Sequence, residues 1–157
     1  MELDYKHLPE PASKERLRLW LRFLKASRSI EATLRENLRQ EFRTTLPRFD
    51  VMAALSRFES GLKMSKLSEV LRVSNGNVTG IVDRLSEDGF LIREPVPGDR
   101  RASRVRLTKS GLEEFERQAA AHEAWINDML SVFSPDAARD ITNRLEQLEA
   151  SLQKDKF

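Results

Sequence analysis

The chain has 157 residues, 39% hydrophobic and 33% charged, which is apolar material for one compact domain or two small lobes sharing a core. It has no cysteine and only two histidines, His7 and His122, so disulfides and thiol chemistry are excluded and a zinc site would need mainly carboxylate ligands, a poor match to zinc. The net charge of +2 conceals an asymmetry: residues 1–109 hold 22 Lys/Arg against 15 Asp/Glu, whereas residues 110–157 hold 5 against 10. A polyanionic partner would therefore meet the N-terminal part.

No apolar run approaches the roughly 18 residues that span a bilayer. The start, MELDYKHLPEPASKERLRLW, carries acids and prolines where a secretory leader needs an apolar centre, so the expectation is a cytoplasmic chain away from membranes. After Pro9 and Pro11, the spacing predicts a long helix from about Ser13 to Phe42. Leu17, Trp20, Leu21, Leu24, Ile30, Leu34 and Leu38 recur at helical steps, with Ser13 as its cap. Thr44-Thr45-Leu46-Pro47 breaks the pattern. A second helix follows, opened by Pro47, carrying Phe49, Val51, Met52, Leu55 and Phe58, and ended by Gly61.

A short helix is predicted from Ser65 to Leu71, then a tight turn at Arg72-Val73, then a helix capped by Ser74 that runs to about Asp88, where Gly89 stops it. Alternating residues around Phe90–Glu94 and Arg104–Leu107 flank the Pro95–Asp99 stretch and predict a β-hairpin with a long loop. Thr108 caps a helix from about Lys109 to Leu130, and Ser134-Pro135 opens a last one bearing Ile141, Leu145, Leu148 and Leu152. The predicted order is α-α-α-α-β-β-α-α. The fold class is expected to be mainly α: a winged helix-turn-helix between long N- and C-terminal helices. The expected divisions are an N-terminal segment at 1–46, the winged helix-turn-helix lobe at 47–108, and the C-terminal helices at 109–157.

Within MSKLSEVLRVSNGNVTGIVDRLSEDGFL, Leu67, Val70 and Leu71 give the first helix its inner face, and Val78, Ile81, Val82 and Leu85 give the second its own. That leaves Asn75, Gly76, Asn77, Thr79, Gly80, Asp83 and Arg84 outward. Short, polar, amide-bearing side chains in the first turns of a helix are the chemistry that reaches base edges in a major groove. Gly80 costs about 1 kcal/mol relative to alanine inside a helix, so close approach of a groove or of a neighbouring helix is expected there. Between Arg93 and Lys109 stand six basic residues and two acidic ones. Gly98-Asp99-Arg100-Arg101 falls at the predicted hairpin tip, where a guanidinium can enter a narrow minor groove. Asp99 is the expected partner that orients one of these arginines.

The run from Met64 to Gly111 closely resembles the MarR (multiple antibiotic resistance regulator) family. The matching pieces are LSEVLRVSNGNVTGIVDRLSEDGFLIRE, the wing PGDRRASRVRLT, and KSGLEEF. The resemblance implies an obligate homodimer that binds a pseudo-palindrome of double-stranded DNA with two recognition helices in successive major grooves. It carries base and phosphate reading onto Ser74, Asn75, Asn77, Thr79 and Arg84, and wing contacts onto Asp99, Arg100 and Arg101, with Arg101 in the minor groove. Asn75-Gly76-Asn77 replaces the more usual Ser/Thr/Pro-containing start of that helix, which bears on the preferred base sequence.

The apolar stripes of the terminal helices would expose a large patch in a monomer, and a second copy covers it most simply. The resemblance further implies a small effector, often aromatic or anionic, bound between the dimer helices and the DNA-binding lobe. Candidate lining residues are Trp20, Arg22, Phe23, Arg48 and Met52. The run Lys14, Arg16, Arg18, Arg22, Lys25 and Arg28, with Glu15 as its one acid, suits the phosphates of a coenzyme A thioester. An aromatic carboxylate or its CoA thioester is therefore the expected effector, and DNA release by it makes the chain a repressor. No cofactor, metal site or catalytic set is expected, since no Ser/His/Asp arrangement, phosphate loop or ligand cluster appears. The alternative reading is a winged-helix protein-interaction module without ligand response.

Overall fold

The computed structural model describes residues 10–71 and 75–155, which form six helices and three strands. Helix α1 (Glu10–Phe42) begins ahead of Ser13, so Ser13 lies inside it instead of capping it. Pro11 explains the earlier start, because a proline in a first turn withholds no N–H that the helix would use. Leu34 and Leu38 are buried, while Leu17, Leu19, Trp20 and Leu21 are each more than half exposed. Arg43, with φ 51°, ends the helix in the left-handed region, and the Thr44 N–H donates back to the Leu38 carbonyl at 3.3 Å.

Thr45 opens α2 (Leu46–Ser56): its hydroxyl accepts from the Arg48 N–H at 3.3 Å, and Pro47 occupies the first turn. The helix stops before Phe58, which the sequence pattern placed on it and which is 41% exposed. Strand β1 (Leu62–Lys63) had no counterpart in the predicted order, being too short for any alternation to register. Helices α3 (Met64–Leu71) and α4 (Asn75–Glu87) follow. The turn at Arg72-Val73 and the cap at Ser74 lie outside the described residues. Gly89, at φ 81°, stops the chain after α4.

Strands β2 (Leu91–Val96) and β3 (Asp99–Leu107) complete an antiparallel sheet of order β1-β3-β2, with Leu62 opposite Val105 and Leu91 opposite Leu107. The hairpin loop is short, not long. Pro97-Gly98 alone connects the strands, and Gly98 at φ 81° has the positive φ that the second central residue of a type II turn requires after proline. Helix α5 (Lys109–Met129) is capped by Thr108, whose hydroxyl accepts from the Gly111 N–H at 3.0 Å and donates to the Gly89 carbonyl at 2.7 Å. Ser134 accepts from the Ala137 N–H at 3.1 Å and opens α6 (Pro135–Lys154).

Contacts divide the chain into two units, one up to Ala120 and one from Ala121 onward. The first is built on Val51, Met52, Ala54 and Leu55 of α2, Leu62, Leu67, Leu91 and Val105, and the inner face of α4, Val78, Val82 and Leu85. Each fully buried side chain of that set contributes about 1.5–3 kcal/mol. Val70, expected to face inward, is 45% exposed. In the second unit, α6 has no fully buried residue: Ile141 and Leu145 are half-buried, and Leu148 and Leu152 are exposed. No helix among the described residues is long and apolar enough to cross a membrane.

Candidate nucleic-acid interface

Helix α4, the start of α3 and the β2–β3 wing surround one cleft of about 370 Å³. Because Val78, Val82 and Leu85 sink into the core, Gly76, Asn77, Gly80, Asp83 and Arg84 face solvent, and Thr79, half-buried, lines the cleft. This is the outward face read from the sequence. Asn75 is the first residue of α4, and Ser74 lies outside the described residues. A Cβ built on Gly80 meets nothing within 4 Å, as is also the case at Gly76, so no neighbouring helix accounts for either glycine. Both sit on open surface that a large ligand can approach closely.

The wing places its arginines by a break in the ladder. Pro95 pairs with Ser103 but Val96 pairs with Asp99, so Arg100, Arg101 and Ala102 arch out of the sheet. Proline explains the break: Pro95 and Pro97 have no N–H to offer β3, and a bulge takes up the extra residues. Arg100 and Arg101 therefore stand on an arch beside the tip, and the tip itself is Pro97-Gly98. Asp99, the expected partner of one arginine, meets Arg101 through the Arg101 backbone. Its Oδ1 accepts from the Arg101 backbone N–H at 3.1 Å, which holds the start of the arch in an Asx-type turn.

Other partners surround the cleft. Arg93 of β2 donates through Nη1 to Asp83 Oδ1 of α4 at 3.4 Å and through Nε to Ser103 Oγ of β3 at 3.1 Å. On the other face of the hairpin, away from the cleft, Arg106 donates twice to Glu94 Oε1, at 3.2 and 2.9 Å, diagonally across the strands. Lys63 and Ser65 add a cation and a hydroxyl to the cleft wall. The sequence reading missed both, because Lys63 becomes a wall residue only through the two-residue strand β1.

The residues picked for an effector fall in two places. Arg48 and Met52 line a cavity of about 360 Å³ with Phe42, Arg43, Asp88, Phe90 and Gln118. Met52 is 1% exposed and belongs to the core, forming the floor. Arg48 pairs with Asp88, just past the end of α4. Arg48 Nε and Gln118 Oε1 are buried with no hydrogen-bond partner among the described residues. The orientation of the Gln118 amide follows from its other end, since Nε2 donates to Glu114 Oε1 at 3.1 Å and a carboxylate only accepts. Trp20, Arg22 and Phe23 do not line this cavity; they lie on the N-terminal half of α1, where a shallow groove runs past Leu21, Leu24, Lys25 and Arg28. Among the described residues, no group of three or more His, Asp or Glu is placed to hold a metal ion.

Comparison with known proteins bears on this arrangement. The sequence pattern of the MarR family matches residues 44–103, from the end of α1 into the wing. The transcriptional activatory protein BadR of Rhodopseudomonas palustris is 31% identical over 134 residues, covering 83% of this chain and 74% of that protein. The crystal structure of a MarR family transcriptional regulator from Silicibacter pomeroyi superposes with a TM-score of 0.73 at 31% identity, over 89% of this chain and 97% of the other. The fold alone is shared with Sco3205 of Streptomyces coelicolor, a MarR family regulator solved in complex with DNA, at a TM-score of 0.78 and 21% identity over 90% and 89% of the two chains.

Proposed function

The chain belongs to the MarR family of DNA-binding transcriptional regulators, and we propose that it works as a cytoplasmic homodimeric repressor released from a pseudo-palindromic operator by a small aromatic acid or its CoA thioester. The observation that carries the reading is the pairing of an open, amide-bearing α4 face with an arched, arginine-bearing wing around one cleft. In this reading Ser74, Asn75, Asn77, Thr79 and Arg84 read bases and phosphates in the major groove, and Asp99 sets the arch from which Arg100 and Arg101 reach the minor groove. Residues 1–46 and 109–157 supply the dimer contacts, in keeping with the exposed Leu17, Trp20, Leu21, Leu148 and Leu152.

The effector half of the proposal rests on the cavity beside α2. Arg48 Nε seeks an acceptor and Gln118 Oε1 a donor, in a lining that sets Phe42, Met52, Leu85 and Phe90 among the charged or polar Arg43, Thr44, Arg48, Asp88, Glu114 and Gln118. Arg48 and Met52 are assigned to the acid or acyl end. Arg22, with Lys25 and Arg28, is assigned to the phosphates of a thioester tail, with Trp20 and Phe23 beside them. Fluorescence anisotropy on an operator recovered by selection from random duplexes, followed by calorimetric titration with aryl acids and aryl-CoA esters, tests both halves. Tight, salt-sensitive DNA binding relieved by one ligand class supports the proposal, and absence of binding by both classes removes the effector assignment. An activator is the second reading, favoured by the name of the 31% identical relative from Rhodopseudomonas palustris. A reporter fused to the bound promoter separates the two by the sign of its response.

A further inference from the structure

We propose that Arg93 is a positioning residue that ties the wing to α4, setting where Arg100 and Arg101 fall relative to the reading face without itself holding a phosphate. The proposal rests on the assignment of α4 and the wing to DNA. Its first support is the break in the ladder. Regular pairing ends at Pro95–Ser103 and resumes only at Val96–Asp99, so the ladder does not set the register of the arch between them. Arg93 Nε grips Ser103 Oγ, at the foot of that arch, at 3.1 Å. Its Nη1 reaches Asp83 Oδ1 on α4 at 3.4 Å. One guanidinium thus spans both wing strands and the recognition helix, a use of the rigid fork that a lysine cannot copy.

The second support is Asp83 itself. It stands on the solvent face of α4 between Gly80 and Arg84, where a bare carboxylate would repel a phosphate backbone. Pairing with Arg93 removes that repulsion. The two side chains are 41% and 55% exposed, and an ion pair so exposed adds little to folding. Its effect therefore belongs to how the wing meets DNA, and it is measurable in a folded variant.

The test uses the full-length protein, the selected operator, and the variants Arg93→Gln, Asp83→Asn and the double substitution, each checked by circular dichroism for an unchanged fold. Arg93→Gln is expected to weaken binding about tenfold, the scale of one lost contact. The slope of log affinity against log salt should fall by clearly less than one, because no phosphate contact is lost, and Asp83→Asn in the double variant should restore it. Hydroxyl-radical protection under the wing should be lost while protection along the major groove persists, and the double variant should bind no more weakly than Arg93→Gln alone. A slope reduced by about one, with additive effects of the two substitutions, would make Arg93 a phosphate contact and overturn the proposal. Unchanged affinity in Arg93→Gln would overturn it as well. Failure of the wild-type protein to bind any duplex would instead refute the DNA assignment, an outcome distinct from both.

Discussion

Gly111→Ala should destabilise the chain although alanine is the better helix former. Gly111 lies in the first turn of α5, and a Cβ built there would stand 2.0 Å from the Phe90 carbonyl oxygen and 2.8 Å from its carbon. Both neighbours are backbone, so no side chain can swing aside. Relief requires the start of α5 and the residue before β2 to separate by about 1.5 Å, the gap between that distance and ordinary contact. The separation stretches three hydrogen bonds centred on Thr108: its N–H to Phe90 at 3.0 Å, its hydroxyl to Gly89 at 2.7 Å, and the Gly111 N–H to its hydroxyl at 3.0 Å. Overpacking costs about 1–3 kcal/mol, each weakened hydrogen bond up to about 1 kcal/mol, and the gain in helix propensity offsets up to about 1 kcal/mol. The net is a loss of about 2–3 kcal/mol, or a fall in Tm of about 4–12 °C for a chain of this size. Thermal unfolding followed by circular dichroism, at one fixed protein concentration because a dimer's Tm depends on it, reads the effect directly. A Tm equal to or above that of the wild type would refute the close approach of α5 to Phe90.

Other outcomes follow from the same contacts. Gly80→Ala should raise Tm slightly, since its Cβ meets nothing within 4 Å and alanine is favoured by about 1 kcal/mol. The same variant should bind operator more weakly in anisotropy titrations because the methyl stands on the reading face, and undiminished binding would detach Gly80 from that face. Arg101→Ala should weaken operator binding and lower the magnitude of the salt slope by about one; equal affinity would remove Arg101 from the wing contacts. Leu148→Asp, placing a charge on the exposed apolar stripe of α6, should shift the chain to a monomer in sedimentation velocity and abolish tight operator binding. A dimer that persists would move the interface elsewhere.

Where the sequence was legible, a strong local signal agreed with the tertiary contacts. Val78, Val82 and Leu85 recur at helical spacing and are buried, so the outward face of α4 followed with them. Thr108 and Ser134 were readable as caps because capping depends on the adjacent turn alone. One miss was local, Ser13 lying inside α1 behind Pro11, and the others came from contacts distant in sequence. Strand β1 exists only because Leu62 and Lys63 find Val105 and Arg104, and with it Lys63 joins the cleft. The arch at Arg100–Ala102 is a register shift between two strands, whereas the composition of the segment suggested only a long loop. Asp99, read as the partner that orients one arginine, accepts from the Arg101 backbone N–H, whereas the pairing of Arg93 with Asp83 joins residues that no local pattern links. Arg48 and Met52 share a cavity with Gln118, a residue that an α5 pattern alone does not distinguish from its neighbours. Trp20, Arg22 and Phe23 lie away from that cavity along α1, because adjacency in a list of helices says nothing of how far apart their ends stand.

The most direct test of the central claim, that α4 and the arched wing read duplex DNA, is the salt dependence of wild-type binding to the selected operator together with its footprint. The account predicts that log affinity falls linearly and steeply with log salt, with a slope corresponding to several neutralised phosphates. It also predicts two protected half-sites about one helical turn apart, as two recognition helices in successive major grooves require. Failure to retain any duplex, or an affinity indifferent to salt, would contradict it.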